Sequence, residues 1–215
     1  MRPNWTPDDL PNLRGKTAIV TGGNSGVGYY TALELAKHGA KVIIGSRDSR
    51  RGEEAIIKMK QTAPDLDVSA EPLNLADLES VRSFANTILA KVKGIDILIN
   101  NAGVMAVPKR ELTADGFEMH FGTNHLGHFA LTGQLLPLIE KNHGRVVTVS
   151  AQSAQMGEID FSDLNMDKKY GPMAGYNRSK LANILFAREL NRRARKRGIT
   201  SIAVHPGTSP TGIGR

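Results

Sequence analysis

Residues 17–28, TAIVTGGNSGVG, constrain this chain more than any other stretch. Thr17, Ala18, Ile19, Val20 and Thr21 form a short, apolar, β-branched run that suits a strand buried on both faces. Gly22, Gly26 and Gly28 follow, and residues 29–36 then carry apolar side chains at helical spacing. A strand that turns through glycines into a helix makes a phosphate cradle. The helix start offers unpaired N–H groups and the positive end of its dipole, and glycine lets a pyrophosphate approach them. Asn24, Ser25 and Val27 fill the turn, giving the spacing G-x-x-x-G-x-G. An ordinary glycine-rich strand-to-helix turn is the plainer alternative, and this stretch alone does not separate the two.

The rest of the chain repeats the alternation. Strands are expected at residues 41–45, 68–73, 95–99, 144–150 and 200–205. Helices are expected at 51–61, 77–93, 112–133 and 175–197, the third of these despite its glycines. Alternation of this kind predicts a parallel sheet with right-handed crossovers and helices on both faces, a three-layer αβα arrangement. No internal linker, low-complexity segment or short repeat interrupts it, so residues 1–215 are expected to form one dinucleotide-binding domain.

Composition narrows the function classes. A chain with no cysteine has no disulfide and no thiolate metal site, which fits a reducing, cytoplasmic setting. No apolar run reaches membrane-spanning length, and the proline- and aspartate-bearing N-terminus does not read as a secretory signal. The formal net charge is +7, and much of it sits at Arg192, Arg193, Arg195, Lys196 and Arg197 near a helix C-terminus, where cations are favoured. Without interleaved aromatic side chains this reads as a solvated helix end, and no nucleic-acid partner is expected. His120, His125 and His128 lack a matching carboxylate set, so no metal is expected either.

Several residues at predicted strand ends can carry chemistry. The second strand ends in Ser46 and Arg47, where an acidic residue would accept from a ribose 2′-hydroxyl and repel a 2′-phosphate. A hydroxyl donor and a guanidinium suit the phosphate, which favours NADP(H) over NAD(H). Asp48 could pair with Arg47 instead, or Arg47 could be a surface charge near the next helix. The third strand runs out into Asn74 and Leu75, and the fourth into Asn100, Asn101, Ala102 and Gly103, a polar loop at the crevice where open parallel sheets bind ligands. Tyr176 and Lys180 are four apart on a predicted helix and share a face. A neighbouring ammonium and a positively charged nicotinamide would lower the phenol's ordinary value near ~10, letting Tyr176 exchange a proton with a carbonyl or alcohol. Taken alone, Tyr-x-x-x-Lys occurs in many helices with the tyrosine as a packing residue.

Taken in order, Thr21-Gly22-x-x-x-Gly26-x-Gly28, Asn100-Asn101-Ala102-Gly103, Asn124, Tyr176-x-x-x-Lys180 and Pro206-Gly207 resemble the short-chain dehydrogenase/reductase family over nearly the whole chain. Gly45-Ser46-Arg47-Asp48, residues 123–129 and Ser179-Lys180-Leu181-Ala182-Asn183 are similar to its retinol-dehydrogenase-like branch. The resemblance implies a Rossmann-type doubly wound sheet. It also implies hydride transfer between NADP(H) and a carbonyl or alcohol on a mostly apolar small molecule. It gives Asn124 a place in a proton relay through water, makes Tyr176 the acid/base, and has Lys180 hold the ribose and tune Tyr176. Thr211 matches the threonine that meets the nicotinamide amide, and residues 126, 129 and 181–186 match an interface of a homo-oligomer, a dimer or tetramer.

Two departures bear on activity. Where the family carries a catalytic serine after the fifth strand, this chain has Ala151. Ser153 is the best substitute, provided the chain stays extended, while Ser150 would point the other way. The chain also stops soon after Pro206-Gly207, so the family's C-terminal strand and substrate segment are expected to be missing. These departures keep a second reading open, an NADP(H)-binding protein with weak or no catalysis. Substrate selection would fall to residues 152–175.

Overall fold

The computed structural model describes residues 6–207. Its strands are β1 (Thr17–Thr21), β2 (Lys41–Ser46), β3 (Val68–Pro72), β4 (Ile97–Asn100), β5 (Arg145–Val149) and β6 (Thr200–Val204). Between them lie α1 (Gly26–Lys37), α2 (Ser49–Thr62), α3 (Leu78–Lys91), α4 (Gly127–Lys141) and α5 (Pro172–Ala194). The six strands form one parallel sheet in the order β3-β2-β1-β4-β5-β6. The chain winds from β1 through β2 to β3, then returns to the other side of β1 at β4. This reversal opens a crevice at the carboxyl ends of β1 and β4, the place where such sheets take ligands.

Strand alternation divides the core into two layers. Ile19, Ile43 and Leu98 face one side with Phe84, Ile88, Leu131 and Leu135 from α3 and α4. Ala18, Val20, Val42 and Ile44 face the other with Ala32, Leu33 and Met59 from α1 and α2. Val20 pairs with both Ile44 and Ile99, so β1 is enclosed by neighbours on each side. Truncating a fully buried leucine such as Leu131 to alanine would remove about 2–5 kcal/mol.

The helix expected over residues 112–133 is not continuous. Leu112 forms an isolated antiparallel bridge with Glu118 around a turn at Gly116, whose φ is +81°. A π-helical turn, Phe121–Leu126, then leads into α4. Glycine here serves packing: a Cβ on Gly122 would lie 2.3 Å from the Thr113 side chain, and one on Gly127 2.4 Å from the Leu75 carbonyl oxygen. α5 starts at Pro172, earlier than expected, with the proline in the first turn where its missing N–H costs nothing.

Candidate active site

The glycine turn is built for close approach. Gly22 and Gly26 take φ of +66° and +54°, and a Cβ on Gly28 would lie 2.4 Å from both the Gly22 carbonyl oxygen and Asn101 Nδ2. Ser25 occupies the N-cap of α1 without a side-chain capping bond, so the first-turn N–H groups face the crevice uncapped. Thr21 fixes the opposite wall. Its hydroxyl accepts from the Asn101 and Ala102 N–H groups at 2.9 and 3.0 Å, and Asn101 Nδ2 donates to the Thr21 carbonyl at 2.8 Å.

A cleft of about 880 Å³ runs from this turn across the sheet's edge, a size ordinary for ligand sites. Gly22, Asn24, Ser25, Gly26, Val27, Gly28, Ser46, Arg47, Asn74, Leu75, Asn101, Ala102, Gly103, Ser153, Tyr176, Lys180, Pro206 and Gly207 all line it. Thr211 lies outside the described residues. Asn100 and Asn124 sit behind the wall: Asn100 Nδ2 donates to Thr132 Oγ1 at 3.0 Å, away from the cleft.

At the end of β2 the groups sort differently from the sequence expectation. Ser46 donates its hydroxyl hydrogen to the Asp48 carbonyl at 2.7 Å, so that proton is committed to its own turn. Asp48 caps α2, accepting from Arg51 N–H at 3.1 Å, and its carboxylate stands 3.7 Å from Arg51 Nε. The hydrogen bond from the Arg51 N–H is the main cause that holds the Asp48 carboxyl below its ordinary range. Arg47 is exposed at the cleft, and Arg51, one turn further on, lines it too. Arg51 was not among the expected site residues; it lies in the first turn of α2, while Arg47 precedes the Asp48 N-cap.

Tyr176 and Lys180 are buried together at 7% and 2% exposure. Lys180 Nζ donates to the Val149 carbonyl at 3.1 Å and lies 5.6 Å from the centre of the Tyr176 ring. Burial moves both groups: it pushes the Tyr176 phenol up and lowers the Lys180 ammonium to about 8. The acidification expected of Tyr176 counts on a positively charged nicotinamide as well as Lys180; burial in the protein chain alone acts the other way. Tyr176 is thus protonated at neutral pH, and burial makes its phenol a weaker acid that a cation beside it would have to offset.

Asn124 lies in the π-helical turn and ties three elements together. Its Oδ1 accepts from Val104 N–H at 2.8 Å, and its Nδ2 donates to the Val104 carbonyl at 3.0 Å and to Ser179 Oγ at 2.9 Å. Ser179 in turn donates to the Tyr176 carbonyl at 2.7 Å. The Asn124 carbonyl accepts from His128 Nδ1 at 3.0 Å, which leaves Nε2 bare to accept the Thr21 hydroxyl hydrogen at 2.8 Å. Burial lowers His128 to about 4, its Asn124 hydrogen bond offsetting part of that effect. One neutral imidazole thus links the glycine-turn strand to the π-helical turn.

Beyond β5 the chain leaves the extended path that would have aimed Ser153. Ala151 is still extended, but Gln152–Met156 is a 3₁₀ helix. Ser153 lines the cleft, its hydroxyl buried and without a protein partner. Ser150 also lines the cleft, but its hydroxyl hydrogen is committed to the Lys180 carbonyl at 2.7 Å. Met105, Met156 and Met173, with Gln152 and Gln155, complete this end of the cleft. Gln152, Gln155, Met156 and Met173 fall within the 152–175 stretch expected to select substrate; no sequence signal pointed to Met105. The three histidines have ordinary partners: His120 meets Glu118, His125 meets Asn183 and His128 meets Thr21. At the basic helix end Arg192 and Arg193 pair with Glu189 and Arg197 pairs with Glu140. No helix among the described residues is long and apolar enough to cross a membrane.

A glycine-lined crevice at the switch point, continuous with a buried Tyr–Lys pair, defines an α/β protein of the dinucleotide-binding kind. The family profile described as short chain dehydrogenase matches residues 16–215, and the chain belongs to that family. It is 45% identical over 214 residues to mouse (Mus musculus) retinol dehydrogenase 14, covering 94% of this chain and 64% of the relative. It is 46% identical over 205 residues to human (Homo sapiens) retinol dehydrogenase 13, covering 94% and 62% respectively. The chain thus spans less than two thirds of the length of these relatives. Among solved structures, an uncharacterised protein from Mycobacterium paratuberculosis superposes with a TM-score of 0.85 at 48% identity, covering 95% of this chain and 73% of that one. The Pseudomonas aeruginosa RhlG/NADP active-site complex gives 0.77 at 25% identity, covering 95% and 77%.

Proposed function

We propose that the protein transfers hydride between NADP(H) and a carbonyl or alcohol on a mostly apolar small molecule. The observation that carries this reading is the single cleft joining the uncapped α1 N-terminus to Tyr176 and Lys180. The glycine turn, with Asn24, Ser25 and Val27, would hold the pyrophosphate, and Asn74, Leu75, Asn101, Ala102, Gly103, Pro206 and Gly207 would enclose the rest. Arg47 and Arg51 supply the positive charge that favours a 2′-phosphate, and the RhlG/NADP active-site complex is a structural relative. Thr211 keeps its proposed place at the nicotinamide amide by family resemblance alone.

The bound nicotinamide supplies or takes the hydride. Tyr176 gives its phenolic proton to the carbonyl oxygen in reduction and receives one from the alcohol in oxidation. Lys180 fixes ribose hydroxyls and, while charged, stabilises the phenolate that Tyr176 becomes. Asn124 is given its relay place by family resemblance alone; its side chain is spent on holding α5 against the Val104 peptide. Ser153 replaces the hydroxyl missing at Ala151, supported by its unpartnered Oγ at the cleft wall. The methionines at that end favour an apolar substrate.

A cytoplasmic setting and self-association complete the reading. Phe129 and Leu185 are 56% and 46% exposed, and Phe129 packs with His125 and Phe186 across α4 and α5. That apolar face would bury itself against a second copy.

A second reading, NADP(H) binding without strong catalysis, is favoured by Ala151 alone. Steady-state NADPH consumption against a panel of aldehydes and ketones separates the two. Turnover supports the enzyme; tight NADPH binding with no turnover across the panel supports the alternative.

A further inference from the structure

A buried carboxylate–imidazole pair stands beside the Tyr176 helix and has no part in the chemistry above. Glu118 and His120 are both fully buried. The Glu118 carboxylate accepts from the His120 N–H at 2.9 Å, the Phe121 N–H at 2.9 Å and His120 Nδ1 at 2.7 Å. With its hydrogen on Nδ1, the ring presents a bare Nε2, which accepts the Val107 N–H at 3.2 Å. The Val107 carbonyl is taken as well, accepting from the Tyr170 hydroxyl at 2.6 Å. Both polar groups of one loop residue are therefore held by side chains from elsewhere in the chain.

The residue before Val107 explains why such a hold is needed. Ala106 has φ +53°, in the left-handed region that residues other than glycine seldom occupy. It persists only where its surroundings over-determine it. On its other side, Val104 and Met105 line the cleft. On the far side of the pair, α5 packs directly: a Cβ on Gly175 would lie 2.9 Å from His120 Nδ1, and the His120 ring stands edge-on to Tyr176 with centres 6.4 Å apart.

We propose that Glu118, His120 and Tyr170 form a positioning device that fixes the Val104–Met105 wall of the substrate end of the cleft relative to Tyr176. The inference rests on the hydride-transfer reading. Glu118 orients the imidazole, His120 and Tyr170 clamp Val107, and the clamp keeps Ala106 in the conformation that turns Met105 to the cleft. None of the three touches reacting atoms, so their loss acts on substrate fit.

The test uses the full chain with NADPH and decanal as the probe aldehyde, and reads deuterium uptake over residues 104–109 beside steady-state constants. H120N keeps a donor at the Nδ1 position for Glu118 but cannot reach the Val107 N–H. H120Q places an amide oxygen at the Nε2 position and keeps that bond. Y170F removes only the other half of the clamp. The expected result is faster uptake over 104–109 in H120N and Y170F, with KM for decanal raised about fivefold, the factor for one ordinary hydrogen bond. Both kcat and NADPH affinity should hold, and H120Q should stay near wild type. Unchanged uptake in Y170F and H120N, or faster uptake with unchanged KM, overturns the proposal. Should the His120 variants fail to fold, Y170F decides it alone. A wild-type protein inactive on the whole aldehyde panel defeats the hydride-transfer reading itself, and this inference with it.

Discussion

Lys180 holds its ammonium 5.6 Å from the centre of the Tyr176 ring while donating to the Val149 carbonyl at the end of β5. The pair is thereby fixed to the sheet edge by a strand carbonyl as well as by its own helix. Both side chains are buried, and burial acts on both in the direction of neutrality. The phenol is therefore protonated at neutral pH, and donation to a carbonyl oxygen needs the Lys180 ammonium and a cofactor cation to offset what burial does to it.

Tyr176→Phe removes that proton and little else. NADPH consumption with an active aldehyde should fall by about 10²–10⁴, the usual worth of a positioned general acid. NADPH affinity, read by fluorescence titration, should be preserved. Equal rates in the two proteins would remove Tyr176 from the mechanism.

Arg47→Ala should weaken NADPH binding by about 1.5–3 kcal/mol, the range for a hydrogen bond to a charged group, and leave NADH nearly untouched. Titrating both nucleotides against both proteins measures it. Equal weakening for both nucleotides would contradict the 2′-phosphate assignment.

Ala151→Ser restores a hydroxyl at the family position, and Ser153→Ala removes the proposed substitute. If one oxygen donor limits the rate, Ala151→Ser should raise kcat and Ser153→Ala should lower it about 10²-fold. An unaffected Ser153→Ala protein would show that the Ser153 hydroxyl serves no step.

His128 makes the fold acid-sensitive. Its folded value of about 4 lies below the ordinary 6.5, so between those values the unfolded chain binds the extra proton. Its contribution is fully present above pH ~6.5 and is lost as pH falls toward ~4, about 3 kcal/mol in all. Urea unfolding at pH 7 and at pH 4.5 should show a smaller acid loss in His128→Gln than in wild type. Equal losses would show that His128 is protonated without cost in the fold.

Most of the frame was legible because its signals are local. The β-branched runs, the glycine turn and the Tyr–Lys spacing each report a periodicity or a backbone need that a few adjacent residues carry. The region from Leu112 to Gly127 was not legible in this way. Its glycines read as helix-tolerated, yet Gly122 and Gly127 are set by contacts with Thr113 and Leu75, distant partners that no window contains. The same holds for Ser46, whose hydroxyl was aimed at a phosphate by its position but donates to Asp48. The Tyr176–Lys180 pairing was read correctly as a shared face. The opposing effect of burial on the phenol was not legible there, because burial depends on the whole fold.

The central claim is that a dinucleotide crosses the sheet's carboxyl edge and presents its nicotinamide to Tyr176. A crystal structure of the protein with NADP⁺ tests this most directly. The account predicts the pyrophosphate at the Gly22–Gly28 turn, the ribose hydroxyls at Lys180 and the nicotinamide ring facing the Tyr176 hydroxyl. A pyrophosphate seated away from that turn, or a nicotinamide out of reach of Tyr176, would contradict it.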